Sequence, residues 1–576
     1  MAVNRRSCRV LAAAIFMVTL LFLRSFQQQD THTGQPSRHI LHPKIHFQSS
    51  SFDWSLVPQR YPVSSFRPLP TRRPEHLRRI QHAFPNYVDD ATTQRRRKTV
   101  RDAFVRCWDS YKTHAWLRDE LAPVSGQWKT TFGGWAATLV DSLDTLWIMD
   151  LKDEFYTAAA AAAQLDWANT TDTAVNLFET TIRHLGGLLS AYDLSGETAL
   201  LKKATELGNM LYMAFDTPNR IPGFWLNFED AKQGLQTAGT NDPSASPTSL
   251  SLEFTRLSVL TGDPKFYHAI ARVTDFLERT QSQSKLPGMW PKLINFHDET
   301  VDGEIGFTLG ALADSLYEYL PKMVALLGGQ LLGYERMYRT AMDVVKTHLL
   351  FRPMVAEDDE EGKDVLFVGD VFVHPDHIDH VPEGQHLSCF TGGMFALGGK
   401  IFGIPDHVVI GEKLARGCAW AYNAFPTGLM PEIFNLLPCS SIDGPCPFDE
   451  NLWQKEGNKR LKKGFKNARE PKYILRPEAI ESVFLLYRMT GKADLRDLAW
   501  RMFEAVMDAT KTPLANSAIE DVTVEGETSK TDSMESFFLS ETLKYFYLIF
   551  SPPDLINLDI FVLNTEAHPF RRSMVV

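Results

Sequence analysis

The chain offers no glycine-rich phosphate loop and no Gly-x-Ser-x-Gly elbow, which argues against nucleotide-dependent and serine-hydrolase chemistry. It also has no general excess of positive charge. The net charge is −10, yet residues 1–98 carry 16 Lys/Arg against 5 Asp/Glu, leaving −21 on the remainder. An acidic body of that kind is not a nucleic-acid binder. The leading apolar run, residues 10–23, is short of the about 20 residues of an ordinary membrane span. Cysteine is scarce, six in 576 residues, so any disulfide framework is sparse and core burial must carry the fold.

What is present begins with Arg5, Arg6 and Arg9 ahead of that apolar run, an order that keeps the N-terminus in the cytosol. No small-x-small cleavage site follows at 24–28. Residues 10–23 are therefore read as a signal-anchor transmembrane segment, a cleaved signal peptide being the alternative. Residues 1–9 become a cytosolic tail and 24–98 a stem, with eight prolines between 24 and 95 and little periodicity. The basic run at 95–98 reads as solvated charge or a processing site. The body, 99–570, then lies in a secretory lumen, Golgi or endoplasmic reticulum, followed by a short tail at 571–576. Asn169-Thr170-Thr171 is a glycosylation acceptor that has meaning only in that compartment. Cys439 and Cys446 flank a tight loop and suggest a local disulfide, and Cys389 with Cys418 a longer one; spacing alone leaves the connectivity open.

From residue 102 the pattern is helical and repeats. Seven segments share small or polar residues with a carboxylate, then a long apolar stretch. They begin near Asp141, Phe178, Leu252, Ala313, His386, Arg476 and Ser533. Three of them stop at Gly196, Gly262 and Gly491, the usual C-terminal helix stop. Second helices fill the intervals, for example 199–215 and 266–279. Stacked hairpins of this kind predict an all-α fold, an (αα)7 barrel with the first helix of each pair inside. Each carboxylate taken alone is explained by the helix macrodipole. Their recurrence at the mouths of apolar helices points instead to a polar pocket, because such groups are almost never buried unpaired. Glu478 and Glu481 share one helix face, and residues 561–569 supply the oxygen donors a hard cation takes.

Three charged stretches are set aside. His374, His377 and His380 resemble a transition-metal cluster, but Pro375 disfavours the helix that would align them, so a polar loop is expected. The acidic run 357–361 lacks calcium-loop spacing and reads as a solvated tip, as does the basic run 459–466.

The motif Phe178-Glu179-x-x-Ile182-Arg183-x-Leu185-Gly186-Gly187-Leu188-Leu189-Ser190-Ala191-Tyr192 resembles the signature of class I α-1,2-mannosidases, glycoside hydrolase family 47. Matching stretches surround Asp314, Glu478, Glu535 and Thr565, so the resemblance runs from about residue 100 to 570. It implies one bound Ca2+ and inverting removal of α-1,2-linked mannose from high-mannose N-glycans. By the same resemblance Glu179 is the general acid, Glu478 the general base and Asp314 a third catalytic carboxylate, with Asp314 the alternative for the base that activates water. Thr565 becomes the calcium ligand. Arg183, Glu253, His386, Glu432, Arg476, Glu481, Glu535 and Glu566 would line the mannose pocket or hold calcium-bound waters, and Cys389 and Cys418 would pair. Endoplasmic-reticulum members that stop after one mannose resemble Gly-Ala-Arg-Ala-Asp where this chain reads Gly310-Ala311-Leu312-Ala313-Asp314. Leu312 resembles the Golgi and fungal type, since leucine cannot supply the donor fork of arginine. The alternative reading is a lectin-like quality-control protein on the same scaffold that binds mannose glycans without efficient cleavage. A glycosidase for other polysaccharides is disfavoured by the Asn564-Thr565-Glu566 segment.

Overall fold

The computed structural model describes residues 44–70 and 77–572, so the expected cytosolic tail and signal-anchor, and residues 573–576, lie outside the described residues. Among the described residues no helix is long and apolar enough to cross a membrane.

Seven inner helical stretches form a ring. They are Ala137–Asp141 with Leu143–Ile148, residues 177–195, Ser251–Thr261, Asp314–Leu326, Thr391–Phe402, Glu478–Thr490, and residues 538–549. Each packs on the next, and the seventh returns to the first. The inner helices are buried nearly all round; every residue of Asp314–Leu326 after the first is buried. Their partners Lys152–Ala162, Thr198–Tyr212, Pro264–Thr280, Leu332–His348, Pro405–Tyr422 and Asp494–Thr510 lie outside. In Pro264–Thr280 the buried residues include Phe266, Ile270, Val273, Leu277 and Thr280, the spacing of a one-sided apolar stripe. The outer helix beside the seventh inner helix comes from the other end of the body, Ala91–His114. The expected glycine stops hold: Gly196, Gly262 and Gly491 end their helices at φ of 76°, 75° and 74°, where a side chain would be strained.

The stretch read as a stem gives way to packed chain over its described part. Ile45, Trp54 and Ile80 are buried, and Trp54 Nε1 donates to the Trp167 carbonyl at 3.0 Å. The boundary at 98 falls inside the helix Ala91–His114, capped by Asp90 on the Thr93 N–H. Arg96 pairs with Asp497 and Arg97 with Asp89, so the basic run is partnered. Apolar residues spaced widely among prolines can pack as an extended strap, which no periodicity reveals. The acidic and basic runs also meet: Asp359 accepts from Trp420 Nε1 at 2.9 Å and pairs with Lys462 at 2.8 Å.

The fold is not wholly helical, for the loops pair into short antiparallel sheets of two or three strands. The most consequential is Phe561–Leu563 with Pro569–Arg571, whose second strand takes in Arg571, expected in the tail. Its tip, residues 564–568, touches side chains from the first, second, third, fourth and seventh inner helices.

Both disulfides form, Cys389–Cys418 and Cys439–Cys446. The first ties the turn Leu387–Phe390, which leads into the fifth inner helix, to that helix's outer partner. Just beyond, Gly392 and Gly411 pass so closely that a Cβ on either would lie 2.9 Å or less from the other's carbonyl. Replacing Cys389 and Cys418 together by alanine is expected to lower stability by about 3–4 kcal/mol, given a loop of this length, measurable as a fall in denaturation midpoint.

Candidate active site

Three of the inner helices open on an acidic residue. Asp314 and Glu478 are the first residues of theirs, and Glu179 lies in a first turn capped by Asn176, whose side chain accepts from the Glu179 N–H at 3.1 Å. The turn that follows, Thr180–Leu185, is wound as a π-helix, a local widening often found at functional sites. It carries Arg183. This buried guanidinium donates to Glu179 at 2.8 Å, to Glu566 at 2.5 Å and to Ser536 at 3.0 Å, and it reaches Glu535 at 4.0 Å. The Phe132 ring lies under it, 4.6 Å away.

Across the site Arg476 holds Glu432 at 2.8 Å and stands 3.7 Å from Glu478. Glu478 also accepts from or donates to His386 Nδ1 at 2.7 Å, and His386 Nε2 meets the Tyr422 hydroxyl at 2.8 Å. Burial pushes the Asp314 carboxyl up to about 7, with Glu318 and Glu478 adding to it. Burial likewise raises Glu253 to about 7, although Asn564 donates to it at 2.7 Å and Tyr319 at 2.8 Å. Three residues are held at positive φ beside these groups: Leu312 at 80°, Leu475 at 68° and Ala567 at 58°. Backbone strain of this kind gathers where surrounding structure must fix a site. Leu312 stands at the rim, 43% exposed, while its carbonyl accepts from the Ala245 N–H at 2.9 Å. A cavity of about 940 Å³ opens beside Glu179, walled by Trp225, Asp172, Asn227 and Asp230 among others.

The profile of glycosyl hydrolase family 47 matches residues 103–572. The chain belongs to glycosyl hydrolase family 47. The human protein named endoplasmic reticulum mannosyl-oligosaccharide 1,2-alpha-mannosidase is 37% identical over 549 residues, 93% of this chain and 71% of its own length. A Coccidioides posadasii mannosyl-oligosaccharide alpha-1,2-mannosidase is 34% identical, covering 84% and 92%. The solved structure of the alpha-1,2-mannosidase from Trichoderma reesei superposes with a TM-score of 0.75 at 31% identity, covering 83% of this chain and 99% of that one.

Of the residues named from the sequence, Arg183 gathers Glu179, Glu535 and Glu566. Arg476 and His386 gather Glu432 and Glu478, with Asp314 near Glu478. Glu253 meets Asn564 beside Thr565, and Asn169 stands apart on an exposed loop. Several neighbours were missed. Glu318 and Glu541 are buried beside Glu481, with Lys322 bonded to Glu318 and 3.7 Å from Glu481. Behind Arg183, His568 sits between Asp141 at 3.0 Å and Asp144 at 2.9 Å, and Lys544 pairs with Asp144 at 2.8 Å. Burial disfavours a charged imidazole, but the two carboxylates win and raise His568. Glu120 is buried near Glu535 and Arg183 and is pushed by burial up to about 8. The recurrence of acids hinted at Asp141 and Asp144; nothing local marked Glu120 or Trp225, which lie in connecting segments.

The donor set fits a hard cation. Glu481, Glu541 and Glu566 are all held well above the usual carboxylate range, first by burial and then by neighbouring carboxylates: Glu318 and Glu478 for Glu481, Glu566 and Glu481 for Glu541, Asp141 and Glu179 for Glu566. Thr565 joins them with hydroxyl and carbonyl oxygens, its N–H donating to the Tyr319 hydroxyl at 3.2 Å. Carboxylates outnumber basic groups here, and all the donors are oxygens, which suits Ca2+.

Glu253 keeps its proton in the fold up to about pH 7, against an ordinary value of 4.5. The folded state therefore binds more protons than the unfolded chain between those values, and stability falls as pH rises through that window. In chelator-containing buffer, Glu253→Gln is expected to flatten this fall by about 2–3 kcal/mol between pH 5 and 8, checked by denaturant titration at both pH values.

Proposed function

We propose that the chain is a calcium-dependent, inverting exo-α-1,2-mannosidase that trims terminal mannose from high-mannose N-glycans of glycoproteins in the secretory pathway. The observation that carries this reading is the gathering of Glu179, Asp314 and Glu478 at the mouths of the inner helices, in a chain whose relatives are named for that activity. An inverting glycosidase needs an acid for the leaving oxygen and a base for water on the opposite face of the sugar. Glu179 protonates the glycosidic oxygen, and Arg183, bonded to it, fixes its rotamer. Glu478 takes the proton from the attacking water, oriented by His386 on one oxygen and Arg476 near the other. Asp314, near Glu478 but two inner helices away in the ring, stabilises positive charge on the anomeric carbon when ionised. Thr565 would hold Ca2+, with Glu481 and Glu566 beside it; the ion, when bound, supplies coordination to sugar hydroxyls that favours a distorted ring. Glu432 and Glu535 accept hydrogen bonds from mannose hydroxyls, while Glu253, fully buried, holds Asn564 and Tyr319 behind Thr565. The branch beyond the cleaved residue extends over the rim past Leu312, where no arginine fork retains one glycan isomer, so several mannoses are removed in turn.

Two disulfides and the exposed Asn169 acceptor support a luminal body, with residues 10–23 as its type II anchor in the Golgi or endoplasmic reticulum membrane.

Incubation with a high-mannose N-glycan, followed by mass, is expected to show calcium-dependent loss of several hexoses. Loss of one would keep the enzyme and overturn the role given to Leu312; retained binding with no loss would favour the lectin reading. Glu478→Gln is expected to lower turnover by at least about a hundredfold, the usual scale of an acid–base group, with glycan binding kept. Thr565→Ala is expected to weaken calcium binding and activity together, and full activity in chelator would sink the calcium role.

A further inference from the structure

A hairpin away from these acids carries a second constellation. Its strands Asp370–Val373 and Ile378–Val381 pair with Val373 opposite Ile378, leaving residues 374–377 as the tip. The His374 N–H closes that tip on the His377 carbonyl at 2.9 Å. Pro375 does exclude a helix here, but the hairpin aligns the imidazoles by another route. The rings of His374 and His377 stack, centroids 4.7 Å apart and planes 16° from parallel. Alternation along a strand puts Asp379 on the face of His377. Its carboxylate oxygens lie 3.3 Å from His374 Nε2 and 3.4 Å from His377 Nε2. One ligand atom from each of the three residues lies within 4.8 Å of the others. Asp376 completes the arrangement, 2.8 Å from His377 Nδ1. A carboxylate on Nδ1 fixes the tautomer that presents the Nε2 lone pair, as around metal-bound histidines. His380 does not take part: its ring meets the Leu349 carbonyl at 3.3 Å.

We propose that His374, His377 and Asp379 form a surface site for a divalent transition cation such as Zn2+, separate from the acid-lined pocket. Two imidazole nitrogens and one carboxylate suit Zn2+, Ni2+ or Cu2+, whereas Ca2+ takes oxygen ligands. The three side chains are a third to a little over half exposed, so ion and water have access, and water completes the coordination. Strand Asp370–Val373 also pairs with Gly306–Phe307, which leads into Leu312 and Asp314.

The test is Zn2+ titration of the full chain in calcium-saturated buffer, read by calorimetry and by melting temperature. One Zn2+ per chain that excess Ca2+ does not displace, with a rise in melting temperature, is expected. His377→Ala or Asp379→Asn is expected to weaken it at least tenfold, as is Asp376→Asn through the tautomer; glycan trimming stays unchanged in all three. No saturable Zn2+ binding, or binding that His377→Ala and Asp379→Asn leave intact, would overturn the site.

Discussion

The constraint on which the structure depends is the burial of many carboxylates around few positive charges. A lone ion moved into a protein interior costs several kcal/mol even after relaxation. Arg183 meets that cost for the side of the site that holds Glu179, Glu535 and Glu566. It is itself kept in place by Ser536, by Phe132 and by the buried set Asp141, His568, Asp144 and Lys544 behind it. Arg476 does the same for Glu432 and Glu478, and Lys322 for Glu318 and Glu481. The countercharges do not cover the whole cost. Burial still holds Glu481, Glu541 and Glu566 above the usual carboxylate range. It also pushes up Asp314, Glu253 and Glu120, which have no basic partner within ion-pair distance among the described residues.

The barrel makes this concentration possible. Inner helices that run side by side present their N-terminal turns together, and the unpaired N–H groups there favour negative charge. The C-terminal hairpin then brings Asn564, Glu566 and His568 among five of those helices. Positive-φ residues next to Asp314, Arg476 and Glu566, and the π-wound turn under Arg183, show the backbone bent to aim side chains. Apolar packing around the ring holds it in those conformations.

Much of this was legible in the chain. Apolar stretches after recurrent acids gave seven inner helices, and glycines after three of them marked their ends, because both signals are local. The motif around Glu179 carried the family resemblance at once. The described parts of the extended segment, 45–70 and 77–90, were not legible as packed chain, since isolated apolar residues such as Trp54 and Ile80 among prolines have no period. Glu120, Glu318 and Trp225 were overlooked for a related reason: a single residue in a loop or on a helix has no local mark of what it faces.

The sequence by itself determined the pairing of apolar and capping residues that makes each helical hairpin, and the acids at the helix starts. It determined the rim residue too, leucine at 312 and not arginine. Only the tertiary structure decided which acids share a countercharge. Ion pairs such as Arg183–Glu566 and Asp141–His568 join residues hundreds of positions apart, and their energy depends on burial and on distances of a few ångströms, neither of which a linear pattern encodes. The same holds for His374, His377 and Asp379: Pro375 argued for a loop there, and the register of one hairpin brought these three side chains together.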